Sequence, residues 1–510
     1  MGRSGMGSGR SSELNVLSEQ LEAGALSRRQ FVVRALALGL SATAAGTLLA
    51  ACGGGESSSG TGGSSGGKAL NGTVQILVGY FGTGNQPAQA QVQEALATAY
   101  TQLHAGVKIE FLRVPSSSDA QTKLVALSAA GAPPDLVMPT GIYGTSLFLD
   151  EEIWLNLEDL LKRDGLTLDA YSPVTAVATH QPNYYGTSAT GVVGLPVGLN
   201  THAIAYNPAL FSAAGLPMPP TSWTDASWTY EGAFLNAAKA LTLDGRGRHP
   251  GDAGFDPSTV RQFGLGHFFR ETLFFAFGGK YYDPGTRKAT MASAGGTAGL
   301  QFASDLVNLH RVQPSRTVAA SLGAGGGQGN EELFMWKNGQ LAMIDMGTSD
   351  ISSYGTGTPF EFSLAAMPAG PARRFNFLNL DVGAVVKASK NTDLAWEVLK
   401  YFSLDPAASK RLAFDSYNEI PALKQNTEAF STGVRASLPK ADPKVWIDGF
   451  EFAGADNEAW FPAFAEVNSL VGKAFDSIVD GRPAASVLPQ LQGTAQTEID
   501  KWFSSHQLPR

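Results

Sequence analysis

The stretch "KIEFLRVPSSSDAQTKLVALSAAGAPPDLVMPT" (Lys108–Thr140) changes its hydrophobic period twice. "KIEFLRV" alternates as a strand does. "SSSDAQTKLVALSAAG" then reads as a helix with a serine/aspartate start and a terminal glycine, closed by Pro133 and Pro134. "DLVMPT" (Asp135–Thr140) returns to strand. Upstream, "TVQILVG" (Thr73–Gly79) is a further buried strand. It is followed by a helix over Pro87–Ala105 with Val92, Ala95, Leu96, Ala99, Tyr100 and Leu103 at helical spacing. The order βαβαβ predicts a parallel sheet with helices on both faces. Downstream, a second α/β region begins near "HAIAYN" (His202–Asn207) and contains a helix over Thr297–Arg311. The strands "LAMIDM" and "VGAVVKA" follow, then a long helical segment from Asn391. There is no internal repeat, and Gly323–Gly329 reads as a surface loop.

Residues 69–510 exceed the length at which one hydrophobic core stops growing, so two lobes are expected. A hydrophobic content of 43% with 10% aromatics is that of a packed body, and no second long apolar run follows residue 52. The net charge of -8 argues against nucleic acid and anionic lipid surfaces as partners. With 16% charged residues, the surface must be rich in neutral polar groups.

Cys52 is the single cysteine, so an intramolecular disulfide, a CxxC pair and a cysteine-built zinc site are excluded. It stands between an apolar run, Ala35–Ala51, and the tract "GGGESSSGTGGSSGGK". The run is shorter than the roughly 20 residues of a bilayer span. Ser27-Arg28-Arg29-Gln30-Phe31 resembles a twin-arginine export signal, and Leu49-Ala50-Ala51-Cys52 resembles a bacterial lipobox. That resemblance implies a diacylglyceryl group on Cys52, with Arg28 and Arg29 as the export signal and the Gly/Ser tract as a tether of roughly 20–25 Å. The expected division is signal peptide 1–51, lipidated cysteine and tether 52–70, then the body. The expected location is extracytoplasmic, held to the cell membrane through Cys52.

Three motifs are declined. Gly62–Lys68 fits the start of a phosphate-binding loop, but Ala69 replaces the Ser/Thr and no strand precedes it. Ser437-Leu438-Pro439-Lys440 fits S-x-x-K without its companion motifs, and Pro439 breaks the turn that would bring Ser and Lys together. No two of the seven histidines are spaced to chelate a metal from one helix face. No cofactor and no catalytic residue is expected.

"AAGAPPDLVM", "VVGLPVGLNTHAIAYNPALFSAAGLPMPPTSW", "WTYEGAFLNAAKALT", "FAFGGKYYD", "LFMWKNGQLAMIDMG", "LAAMPAGP", "AVVKASKNTDLAWEVLKYFS" and "NEIPAL" occur in one order. Together they resemble the family 1 extracellular solute-binding proteins, receptors of carbohydrate-type ABC importers, over residues 71–505. The resemblance implies an α/β, two-lobed periplasmic-binding-protein type II fold with the ligand cleft between lobes. Lobe 1 would take residues 71–198 and 378–410, and lobe 2 residues 199–377 and 411–510. The implied partners are a mono- or oligosaccharide and an ABC permease, with the receptor a monomer. Alternative readings are a polyol or glycerol-phosphate ligand on the same fold, or a secreted, lipid-anchored glycan-degrading enzyme.

In open α/β sheets ligands sit beyond the carboxyl ends of strands. That rule selects Tyr80 and Phe81 after the first strand, and Thr140 and Tyr143 after the third. Aromatic rings suit the apolar faces of sugars and polar groups suit their hydroxyls; packing of the lobe edge is the competing role. The resemblance adds Asn200 at the first crossing between lobes. It adds Phe268 and Phe269 as cleft aromatics or core, and Trp460 and Phe461 as a further cleft platform. Thr348 stands where the family often has a stacking tryptophan. Asp381 either binds a hydroxyl or caps a turn. Tyr206, Asn207, Trp223 and Trp228 read as structural.

Overall fold

The computed structural model describes residues 70–79, 86–114, 117–141, 153–172, 191–266, 270–327, 329–454 and 461–505. Its first elements follow the expected order: β1 (Gly72–Gly79), α1 (Gln86–Leu103), β2 (Val107–Val114), α2 (Ser117–Ala129) and β3 (Leu136–Gly141). β1 pairs in parallel with β2 from Gly72↔Val107 to Gly79↔Val114, and in parallel with β3 at Ile76↔Leu136. Val74, Ile76, Leu77 and Val78 are wholly buried. A strand covered on both faces by helices needs such a nearly continuous apolar run, interrupted here only by the half-buried Gln75.

β4 (Leu195–Tyr206) is the strand on which the architecture turns, and each of its residues is buried. Asn207 ends it and caps α3 (Pro208–Ala213), its side chain accepting from the Ala209 N–H at 3.0 Å. α4 (Arg270–Ala276), the short hairpin β5 (Tyr282–Asp283) and β6 (Lys288–Ala289), and α5 (Ala294–Asn308) follow. Ser293 caps α5 by accepting from the Gly296 N–H, and Leu300, Ala303, Leu306 and Val307 give it a buried stripe. Then come β7 (Met343–Gly347), β8 (Ser363–Ala365), β9 (Leu378–Val385), α6 (Thr392–Leu404) and β10 (Ile420–Pro421). α7 (Phe464–Val479) and α8 (Ala484–Ser505) close the chain. In α6, Leu399 and Phe402 are fully buried, each stabilising by about 1.5–3 kcal/mol relative to exposure.

The sheet order is β10-β4-β9-β3-β1-β2, with β7 and β8 also on β4. β9 runs antiparallel to both β3 and β4, so the sheet is mixed and not all parallel. Residues Leu195–Thr201 of β4 pair with β9; from His202 the partner becomes β7, with β8 joining at Ile204. A single strand thus serves two groups of partners.

Trp223 and Trp228 are core, as expected, donating their indole N–H groups to the carbonyls of Val445 and Ala366. The glycine tract is more ordered than a loop. It contains a 3₁₀ turn at Ala324–Gly326, and a Cβ at Gly325 would meet the Phe334 ring at 2.5 Å.

Candidate functional site

Three consecutive polar residues, Asn200, Thr201 and His202, interrupt the apolar run of β4 where its partner changes. Thr201 gives its hydroxyl proton to the Trp446 carbonyl at 2.9 Å and is structural. Asn200 accepts at Oδ1 from the Thr348 hydroxyl at 3.0 Å and from the Ser349 N–H at 3.3 Å. Because the backbone N–H of Ser349 can only donate, it settles which end of the amide is oxygen. Nδ2 is left without a hydrogen bond to any described residue. Gly347 makes this approach possible: a Cβ there would stand 2.7 Å from Asn200 Oδ1 and 3.2 Å from His202 Nε2. The result is a buried strand residue with a fixed, unused hydrogen-bond donor.

Beside it lies a buried ion pair, His202 Nδ1 to Asp345 Oδ1 at 2.7 Å, both side chains nearly inaccessible. Burial alone would drive the imidazole to its neutral form. The charge and hydrogen bond of Asp345, with the charge of Asp350, outweigh it and raise the His202 pKa. Asp350 also accepts from the Gly347 N–H at 3.0 Å, fixing the turn that carries Thr348 and Ser349.

On the other side of Asn200, Asp381 of β9 pairs across to Gly198 of β4, and Glu419 immediately precedes β10. Asp381 is 1% and Glu419 4% exposed. Burial pushes Asp381 up to about 7, against a hydrogen bond with Glu419, and pushes Glu419 well up, reinforced by the charge of Asp381. Tyr417 faces both, and its hydroxyl accepts from Gln93 Nε2 at 2.6 Å.

The structure brings together two of the residues expected at the site, Asn200 and Thr348, through a direct hydrogen bond. It corrects two others. Asp381 neither caps a turn nor faces open space: it is mid-strand, with both carboxyl oxygens buried. Phe461 is 2% exposed, stacked on Tyr282 with centroids 5.9 Å apart and edge-on to Phe464, so both faces are occupied by core. Tyr80, Phe81, Tyr143, Phe268, Phe269 and Trp460 lie outside the described residues, as do Cys52, Arg28 and Arg29. Thr140 is at the end of β3, its backbone paired with Val382. Sequence reasoning missed Glu419, His202 and Asp345. The one available signal was polar residues inside otherwise apolar strands. A cavity of about 740 Å³ lies among Arg270, Asn308, Arg316 and Asp480, and none of the expected residues that the structure describes lines it.

Among the described residues no group of acidic, His or Cys side chains is arranged to hold a metal ion. No described helix is long and apolar enough to cross a membrane.

No curated protein matches the chain. Solved structures do match in fold. The ABC substrate-binding protein Lmo0181 of Listeria monocytogenes, in complex with cycloalternan, aligns with TM-score 0.63 at 16% identity, covering 85% of this chain and 99% of that one. A solute-binding protein of Agrobacterium radiobacter in complex with ribitol gives 0.62 at 20% identity, over 84% and 100%. The maltose-bound MalE3 of T. maritima gives 0.60 at 16% identity, over 83% and 99%. These likenesses establish the two-lobed α/β fold of the maltose-binding type. The sequence pattern of the bacterial extracellular solute-binding proteins matches residues 83–408, well over half the chain, and the protein belongs to that family.

Proposed function

We propose that the protein is an extracytoplasmic receptor that binds a carbohydrate and delivers it to an ABC import permease, without catalysing a reaction. The observation that carries this reading is the Asn200 amide. Its oxygen is held by Thr348 and Ser349, so its Nδ2 is presented in a fixed direction at the strand that joins the lobes. A fixed neutral donor suits a hydroxyl, whose lone pairs need a partner once water is displaced. The fold relatives complexed with cycloalternan, maltose and ribitol support a polyhydroxylated ligand.

In this reading residues 71–198 and 378–410 form one lobe, and 199–377 and 411–510 the other. Tyr80, Phe81, Thr140, Tyr143, Phe268, Phe269 and Trp460 supply the rest of the cleft. Cys52 carries the lipid that keeps the receptor beside its permease, after export directed by Arg28 and Arg29. Cys52→Ala is expected to abolish incorporation of labelled palmitate; undiminished labelling overturns the anchor.

The binding test is thermal melting of the exported protein with maltose, maltotetraose, cycloalternan, tagatose and ribitol. A bound ligand stabilises by RT ln(1 + [L]/Kd), so a true ligand raises Tm progressively with concentration. Asn200→Ala should weaken the best of these about 10-fold, the loss of roughly one hydrogen bond with its desolvated partner. A panel that leaves Tm unmoved at millimolar concentration overturns the carbohydrate reading. If ribitol alone shifts it, the ligand is a polyol.

A further inference from the structure

β9 is buried at every residue except Asn379. In the antiparallel register Asn379 stands directly opposite Asn200, so the two side chains leave the same face of the β4–β9 ribbon. Asn200 is itself the least buried of the β4 residues whose exposure is resolved, at 8%. The opening in these crossing strands therefore coincides with one pair of amides. Asn379 Oδ1 is buried and has no hydrogen-bond partner among the described residues. Buried acceptors are ordinarily satisfied; the unpartnered oxygens of Asp381 on the same strand have Glu419 beside them, whereas Asn379 Oδ1 has no such neighbour and calls for a partner from outside. On the same face the next step of the ribbon is Gly198↔Asp381, where β4 has no side chain.

We propose that Asn379 is a second ligand-contact residue, its Oδ1 accepting from a ligand hydroxyl while Asn200 Nδ2 donates to the same or the adjacent one. A hydroxyl offers one proton and two lone pairs, so a hydroxyl or a vicinal pair can both give to an amide oxygen and accept from an amide nitrogen. Two neutral amides satisfy both needs without charge. An ammonium ligand would want an accessible carboxylate, and the nearest pair, Asp381 and Glu419, is closed off. This inference rests on the carbohydrate reading of the site and adds the acceptor half of its recognition.

Because the orphan acceptor costs stability in the empty protein and is repaid only by ligand, the two roles have opposite signatures. Asn379→Leu, tested on the exported protein with the best stabiliser among maltose, maltotetraose, cycloalternan, tagatose and ribitol, should raise Kd about 3- to 10-fold. The apo Tm should hold or rise. Asn379→Asp, which keeps an acceptor in the same place, should lose less affinity than Asn379→Leu. Wild-type affinity in Asn379→Leu, with Asn200→Ala still weakened, overturns this assignment and leaves the receptor reading intact. A lowered apo Tm with unchanged Kd in both variants shows that Asn379 is structural. A wild type stabilised by no member of the panel overturns the receptor reading and this assignment with it.

Discussion

A Cβ at Gly198 would lie 2.1 Å from Glu419 Oε2, so any side chain there would displace that carboxyl. The space the glycine leaves holds two buried carboxyls, Asp381 and Glu419, with no N–H or O–H donor to Asp381 Oδ1, Asp381 Oδ2 or Glu419 Oε2 among the described residues. Two such groups can coexist only by sharing a proton, one carboxyl donating to the other. Burial accordingly raises both, Asp381 to about 7 and Glu419 well above its ordinary value. In the unfolded chain both ionise near pH 4, about 3.9 for Asp and 4.3 for Glu. From there through about 7 the folded state binds more protons than the unfolded state, so stability falls as pH rises through that window and levels off only once Glu419, also raised, has ionised. His202, also raised, adds a loss of the same sign as pH rises through its folded value. It is present in wild type and variant alike. Asp381→Asn removes one ionisable partner and supplies an amide donor. Urea unfolding from pH 4 to 8 should show a flatter profile and a gain over wild type of about 1–3 kcal/mol at the alkaline end. Parallel profiles would mean the pair does not hold its proton.

At the scale of elements, the first five were legible because period and punctuation agree. Alternation in "KIEFLRV", helical spacing through Leu96 and Leu103, and Pro133-Pro134 as a stop place them within a few residues of their observed bounds. The direction of β9 was not legible. An apolar run buried on both faces looks the same whether its neighbours are parallel or antiparallel, and its pairing with β3 and β4 is decided by chain return. The site was legible only where it sits on β4. Asn200 is conspicuous as a polar residue amid Val197, Leu199, Ala203 and Ile204. Thr348, 148 positions away, meets it because β7 ends opposite His202 and the following turn folds back over the strand. Asp381 and Phe461 were misread for one reason: sequence gives a residue's type and not its depth. A carboxylate beside a crossing strand and an aromatic beside Trp460 look like ligand groups until burial shows otherwise. Glu419 escaped notice because nothing local distinguishes a buried acid from a surface one.

For the whole molecule, the residues proposed to face the ligand lie on the strands proposed to join the lobes. β4 pairs with β9 and β10 along its first half and with β7 and β8 along its second, so Asn200 stands next to the change of partner. A hydroxyl held there touches the root of both lobes but favours neither open nor closed form by itself. A ligand shifts that equilibrium only by its differential affinity, so closure needs contacts made in the closed form alone. Trp460, the proposed aromatic platform of the second lobe, is the residue assigned that role. Small-angle scattering should show the radius of gyration falling when the wild type is saturated with the best member of the panel. Trp460→Ala should lose about 1–3 kcal/mol of binding, roughly one to two decades in Kd, and compact only at correspondingly higher ligand. Asn200→Ala should weaken binding yet reach the same compact form at saturation, because its contact is common to both states. If the two variants behave alike, with neither affecting the compaction midpoint beyond its effect on Kd in a rigid pocket and no change in radius for the wild type, the receptor does not close on its ligand.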